Sequence, residues 1–126
     1  MIYGIGVDIV AVARLERLLA RHGDIGLEKI LARAEREAFR KETRPGKALA
    51  KRWAAKEAFG KALGTGLRPP ATLSAIAVAH DDLGKPRLVF APELAAFLSE
   101  RGITAAHLSI SDEAAYAIAH VILETA

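Results

Sequence analysis

Apolar and polar positions change their spacing several times along this chain, and each change marks an element. Ile2 to Ile9 is apolar and β-branched, with Gly4 and Gly6 allowing close backbone approach, and predicts a short strand. Val12, Leu15, Leu18, Leu19 and His22 then recur at helical spacing, predicting a helix over 12–22 with Gly23 as its C-terminal cap. Ile25 to about Glu42 predicts one or two further helices, with Leu27, Ile30, Leu31, Ala34 and Ala38 as the apolar stripe. Pro45-Gly46 breaks that pattern, and Lys47 to Leu63 forms a long helix closed by Gly64.

The back half changes period. Thr72 to His80 is apolar at nearly every position, as a strand buried on both faces would be. Asp81 to Lys85 is a turn and Pro86 to Phe90 a second strand. Pro92 to Glu100 has Pro near its start and Gly102 past its end, the usual asymmetry of a helix. Ala105 to Ser111 and Ala115 to Leu123 are strands close enough to form a hairpin. The order strand, helices, two strands, helix, two strands argues for an α+β fold, with a mixed or antiparallel sheet packed on the long helix. Gly64 to Pro70 is the strongest loop signal, but neither half could stand alone, so residues 1–126 are expected to be one compact domain.

Composition narrows the options. At 52% hydrophobic the chain can bury a core, and its lack of cysteine excludes disulfides, thiolate zinc sites and cysteine nucleophiles. That also fits a reducing, cytoplasmic setting. No apolar run approaches a membrane span, and neither a secretory leader nor a lipidation signal is evident, so no membrane role is expected. The formal charge of +3 is too mild for a general nucleic-acid binder. The charge is nonetheless uneven, since Arg101 is the only Lys or Arg from Ala91 onward.

Two acidic positions are candidates for chemistry. Asp8 ends the first strand on the face opposite Ile5 and Val7, where it is either a cap for the next helix or a functional carboxylate. The glycines before it do not form a dinucleotide fingerprint. Trp53, Glu57 and Lys61 share one helical stripe, which is either an ordinary Glu-to-Lys pair or part of a site. Trp53 is the only tryptophan, and Ala50, Ala54 and Ala58 flank the stripe, so it is expected to be partly buried. If the first strand packs beside the long helix, Asp8 and Glu57 could hold a hard cation such as Mg²⁺, with Lys61 placed to neutralise a phosphate.

Arg14, Arg17 and Arg21 line one face of the first helix, either as a solvated stripe or as a docking surface for an acidic partner. The Gly64-Thr65-Gly66 loop could leave room for a bulky ligand, and Gly84-Lys85-Pro86 presents a lysine on a turn. His107, Ser109 and Ser111 share a strand face, most simply the wet one. His120 is expected to pack within the sheet near Tyr116. A triad of Ser109, His107 and Asp112 lacks any nucleophile elbow.

Taken together, Gly4-Ile5-Gly6-Val7-Asp8-Ile9, Trp53 to Gly66, Gly84-Lys85-Pro86 and His107 to Asp112 resemble the holo-[acyl-carrier-protein] synthase family, the short bacterial type of 4'-phosphopantetheinyl transferase. The resemblance spans nearly the whole chain. It implies the 4'-phosphopantetheinyl transferase fold and a Mg²⁺-dependent transfer of the phosphopantetheine arm of coenzyme A to a serine of acyl carrier protein. Adenosine 3',5'-bisphosphate would be released, in the service of fatty acid biosynthesis. It further implies that Asp8 and Glu57 bind the metal and that Lys61 neutralises phosphate charge. Glu57, or a water it holds, would help deprotonate the serine. Gly64, Thr65, Gly66, Gly84, Lys85 and Pro86 would line the nucleotide site. The resemblance also implies a homotrimer with active sites between subunits, so that His107 reaches coenzyme from a neighbour. Arg14, Arg17 and Arg21 would then dock the acidic carrier protein. Asp112 stands where some members carry His, so no role transfers to it. A non-catalytic basic module docking an acidic protein or nucleic acid, or a Mg²⁺-dependent phosphohydrolase, is the competing reading.

Overall fold

The computed structural model describes residues 1–126. Its elements are β1 (Ile2–Ala11), α1 (Val12–Ile30), α2 (Arg36–Arg40), α3 (Pro45–Leu63), β2 (Ile76–His80), β3 (Pro86–Phe90), α4 (Pro92–Glu100), β4 (Ile103–Asp112) and β5 (Tyr116–Thr125). Every strand pairing is antiparallel, and the strands form two sheets: β1-β5-β4 and the hairpin β2-β3. The α+β architecture therefore stands, with the mixed option resolved as fully antiparallel.

Helix α3 is the axis of the core. Ala54, Ala55, Ala58 and Phe59 are completely buried on it, and Ala117, Ala119, Val121 and Leu123 of β5 face it from the sheet. Phe59 also meets Phe90 of β3 with ring centroids 5.0 Å apart, fixing the second sheet to the same helix. The alternation along β1 sends Gly4, Gly6 and Asp8 toward α3 and Ile5, Val7 and Ile9 outward. At Gly4 and Gly6 a β-carbon would collide with the Ala62 and Ala58 carbonyl oxygens, so only glycine lets the strand lie this close.

Several sequence expectations move, but the helical break expected at Gly23 is present: the α1 span is two helical segments joined at a kink where Gly23 takes φ 53° and ψ −135°, the second running on to Ile30. His22, assigned to its buried stripe, is exposed. Ala34 and Ala38 are exposed, because residues 33–35 form a 3₁₀ turn that rotates Glu35 and Phe39 inward instead. The strand expected from Thr72 begins at Ile76, since 73–75 is another 3₁₀ turn; Ile76, Ala77 and Val78 are buried in succession as expected. His120 does not pack inside the sheet but lies exposed on its outer face, paired in register with Val7. No helix is long and apolar enough to cross a membrane.

Candidate active site

The strand β1 and the helix α3 bring the two acidic candidates to one place. Asp8 pairs in register with Ala119 and points to the helix side of the sheet. Glu57 is half-buried on α3, one turn before Lys61. The Lys61 ammonium donates to the Asp8 carboxylate at 3.2 Å and to the Val7 carbonyl at 2.9 Å. Desolvation, then the charge of Asp8, raises the Glu57 pKa above the usual carboxylate range, while Lys61 and Arg14 pull it back. Two carboxylates that feel each other's charge, flanked by two cations, form one electrostatic cluster.

This donor set fits a hard divalent cation. Asp8 and Glu57 offer carboxylate oxygens and nothing softer, the set Mg²⁺ takes when waters and a substrate's phosphates complete its shell. No group of three or more His, Asp or Glu side chains gathers in the chain, so an ion here would need those additional oxygens.

Arg14 joins this cluster from α1. Its guanidinium lies 5.2 Å from the centre of the Trp53 ring, so the stripe of Trp53, Glu57 and Lys61 is also where α1 meets α3. Arg14, Arg17 and Arg21 are all exposed.

The remaining predicted residues fall in other places. Gly64, with φ 89°, caps α3, and Gly66 N–H donates back to the Gly60 carbonyl at 3.1 Å. The Gly64-Thr65-Gly66 loop thus folds against the helix one turn beyond Lys61. Lys85, Pro86 and His107 line a separate cavity of about 330 Å³ together with Asp81 and Arg87. Backbone N–H groups of Lys85 and Leu83 on the Asp81 carboxylate hold that turn and lower the Asp81 pKa. Since β4 and β1 are the two edges of one sheet, His107 lies at the opposite edge from Asp8 and on the outer face, where it pairs with Glu124 at 2.5 Å.

Sequence reasoning missed a basic cavity of about 190 Å³ near the start of α3, lined by Arg44, Lys47, Lys51, Arg52 and His80 among others. Arg52 is buried, with its Nε 3.5 Å from the Glu35 carboxylate. Burial and the charges of Arg52 and Lys51 push the His80 pKa down. Two of these cations pair with Asp112, Lys47 at 3.4 Å and Lys51 at 3.7 Å, and Glu42 also lines the cavity. The missed signal was the i, i+4 and i, i+5 spacing of Lys47, Lys51 and Arg52, which keeps three cations together on one end of a helix.

Fold and site together define a small α+β class of protein in which a strand and the axial helix bring Asp8, Glu57 and Lys61 into one cluster. The chain matches the family model of the 4'-phosphopantetheinyl transferase superfamily over residues 4–121, and it belongs to that family. It is 63% identical over 126 residues to the holo-[acyl-carrier-protein] synthase of Dechloromonas aromatica (strain RCB), covering 100% of both chains. It is also similar to the crystal structure of holo-[acyl-carrier-protein] synthase from Neisseria meningitidis, with TM-score 0.96 and 44% identity over 99% of this chain and 100% of that one. A Bacillus anthracis holo-(acyl-carrier-protein) synthase in complex with CoA (3',5'-ADP) aligns with TM-score 0.83 and 38% identity, covering 100% of this chain and 99% of that one.

Proposed function

We propose that this chain transfers the 4'-phosphopantetheine arm of coenzyme A to a serine hydroxyl of acyl carrier protein. The observation that carries the reading is the meeting of Asp8, Glu57 and Lys61 across β1 and α3, in a chain similar end to end to holo-[acyl-carrier-protein] synthases. The serine oxygen forms a bond to the phosphorus bearing the pantetheine arm. The bond from that phosphorus to the nucleotide breaks, and adenosine 3',5'-bisphosphate leaves with the electron pair. Glu57 takes the serine proton directly or through a water it holds. Lys61 neutralises charge on the diphosphate. Asp8 and Glu57 would hold Mg²⁺, which when bound supplies further neutralisation of the leaving group.

Coenzyme A carries a diphosphate and a further phosphate, and the basic cavity beside Arg52 suits such a polyanion. Gly64, Thr65 and Gly66, and Gly84, Lys85 and Pro86, line the nucleotide on this reading. They sit in two places on one chain, which favours a site completed by a second copy. The outer face of the sheet supports the same assembly: Ile5 and Ile9 are 65% and 62% exposed, opposite Ile122 and Ile118 of β5. Three copies packed through this face would carry His107 into a neighbour's site. Arg14, Arg17 and Arg21 dock the acidic carrier protein, and neither nucleic acid nor membrane is a partner. On this reading the enzyme works in the cytoplasm, in fatty acid biosynthesis.

Mass spectrometry of apo acyl carrier protein after incubation with coenzyme A and Mg²⁺ tests the proposal. A gain of about 340 Da, one phosphopantetheine arm, is expected. An unchanged carrier protein beside consumed coenzyme A would mean a phosphohydrolase, and an unchanged carrier with intact coenzyme A would leave only a basic docking module.

A further inference from the structure

Helix α3 carries Glu57, and six of its thirteen buried residues are alanine. Ala50, Ala54, Ala55 and Ala58 are all fully covered. Small side chains let neighbouring backbones approach closely but offer little resistance to sliding or rotation. A slip of one residue would turn Glu57 by about 100° away from Asp8.

Leu49, Phe59 and Leu63 add apolar bulk, but the side chain beside Glu57 that fastens the helix by directed bonds is Lys56, the residue before it, which is 0% exposed. Its ammonium donates to the Ile30 carbonyl at 2.6 Å, the Glu35 carboxylate at 2.5 Å and the Leu73 carbonyl at 3.0 Å, so all three protons are used. Glu35, 2% exposed, is equally committed. Its Oε1 also accepts Ala32 N–H at 2.8 Å, and its Oε2 accepts Val78 N–H at 3.0 Å. Arg52, also on α3 and 6% exposed, brings its Nε to 3.5 Å from Glu35 Oε2, so the acid sits between two cations. This cluster ties α3 to the end of α1, to both 3₁₀ turns and to β2. A buried pair of this kind adds little net stability over an apolar pair of equal size, because desolvation offsets its attraction. What it adds is a fixed geometry that alanine packing does not provide.

We propose that Lys56 and Glu35 are positioning residues that pin the register of helix α3 and so hold Glu57 against Asp8. The inference rests on the reading of Asp8 and Glu57 as a metal-binding pair.

The double variant Glu35→Leu/Lys56→Met removes the Lys56 ion pair at similar volume but strips buried Arg52 of its carboxylate, so positioning is read from kcat and metal affinity at a temperature where the variant is folded. The expected result is cooperative unfolding at a lowered midpoint together with a fall of about 10-fold or more in kcat of the folded protein. Affinity for Mn²⁺, used as a paramagnetic probe in the presence of coenzyme A, should fall by a similar factor. A folded double variant with wild-type kcat and wild-type Mn²⁺ affinity overturns the proposal. If the double variant does not fold, Glu35→Gln, which keeps the shape, is judged by the same two readouts. Wild-type protein that neither binds Mn²⁺ nor transfers the arm would sink the Asp8–Glu57 site itself, a different outcome.

Discussion

The Lys61 ammonium bridges the Asp8 carboxylate and the Val7 carbonyl, joining the last turn of α3 to β1. The Lys61 side chain is more than half exposed, so the ion pair adds little to stability, on the order of 0.5 kcal/mol. Lys61→Met is expected to leave denaturant unfolding nearly unchanged. Transfer should nonetheless fall by about 10²-fold, because a cation aimed at developing phosphate charge is lost. Parallel unfolding and single-turnover measurements check both halves.

Gly6→Ala should cost more stability than its size suggests. The new methyl meets the Ala58 carbonyl oxygen and the Ala62 nitrogen, both of them backbone atoms that cannot rotate away. Overpacking of this kind costs about 1–3 kcal/mol, and here it also pushes Asp8 off Glu57. Thermal unfolding should show a lower midpoint, and transfer should fall beyond what the unfolded fraction explains.

Glu57 gives a pH signature. Its pKa is raised in the folded protein, so the native state holds its proton more tightly than the unfolded chain does. Its contribution to stability is complete below the usual carboxylate pKa and is lost as pH rises through the raised value. Glu57→Gln should flatten that part of the stability profile measured without divalent ions. Asp8→Asn should move it toward lower pH by removing a neighbouring negative charge. With Mg²⁺ present, Asp8→Ala and Glu57→Ala should each nearly abolish transfer while the fold survives.

Arg14 and Arg21 are exposed on the helix that borders the site. Reversing both to Glu should raise KM for acyl carrier protein by about 10-fold or more and weaken its salt dependence, with the KM for coenzyme A little changed. Steady-state kinetics across a range of ionic strength provide the check, and an unchanged KM would make the stripe a solvated face.

Ile5 and Ile122 face each other on the outside of the sheet. Replacing both with Asp puts two charges on the surface assigned to self-association. Light scattering should then show monomers where the unaltered chain shows trimers, and transfer should fall with the loss of the shared site. A wild-type chain that is monomeric at working concentration would remove this face from the proposal.

The sequence made β1, α3 and the β4–β5 hairpin legible because each has one dominant period. The Asp8–Glu57 pairing was legible only as a conditional, since the two residues are far apart in the chain. What resolved it were Gly4 and Gly6, whose missing side chains let β1 lie directly on the helix. The stretch from Ile25 to about Glu42 was legible as one or two helices, but its inward face was not, because a 3₁₀ turn at 33–35 separates the end of α1 from α2. The tertiary demand of Lys56 for a buried carboxylate won instead, turning Glu35 inward and Ala34 outward. A signal was present: Leu49, Arg52, Lys56, Phe59 and Leu63 form one helical stripe, and two cations inside an apolar stripe call for an acid. The basic cavity was harder to foresee, because His80 comes from β2 and reaches Arg52 only in three dimensions.

The lone tryptophan sits beneath the Arg14 guanidinium and one turn from Glu57. The molecule therefore contains its own optical reporter at the junction of docking and chemistry. An acidic protein that draws Arg14 off the indole should change the emission of Trp53, so arrival of the partner can be timed by stopped-flow fluorescence without attaching a dye.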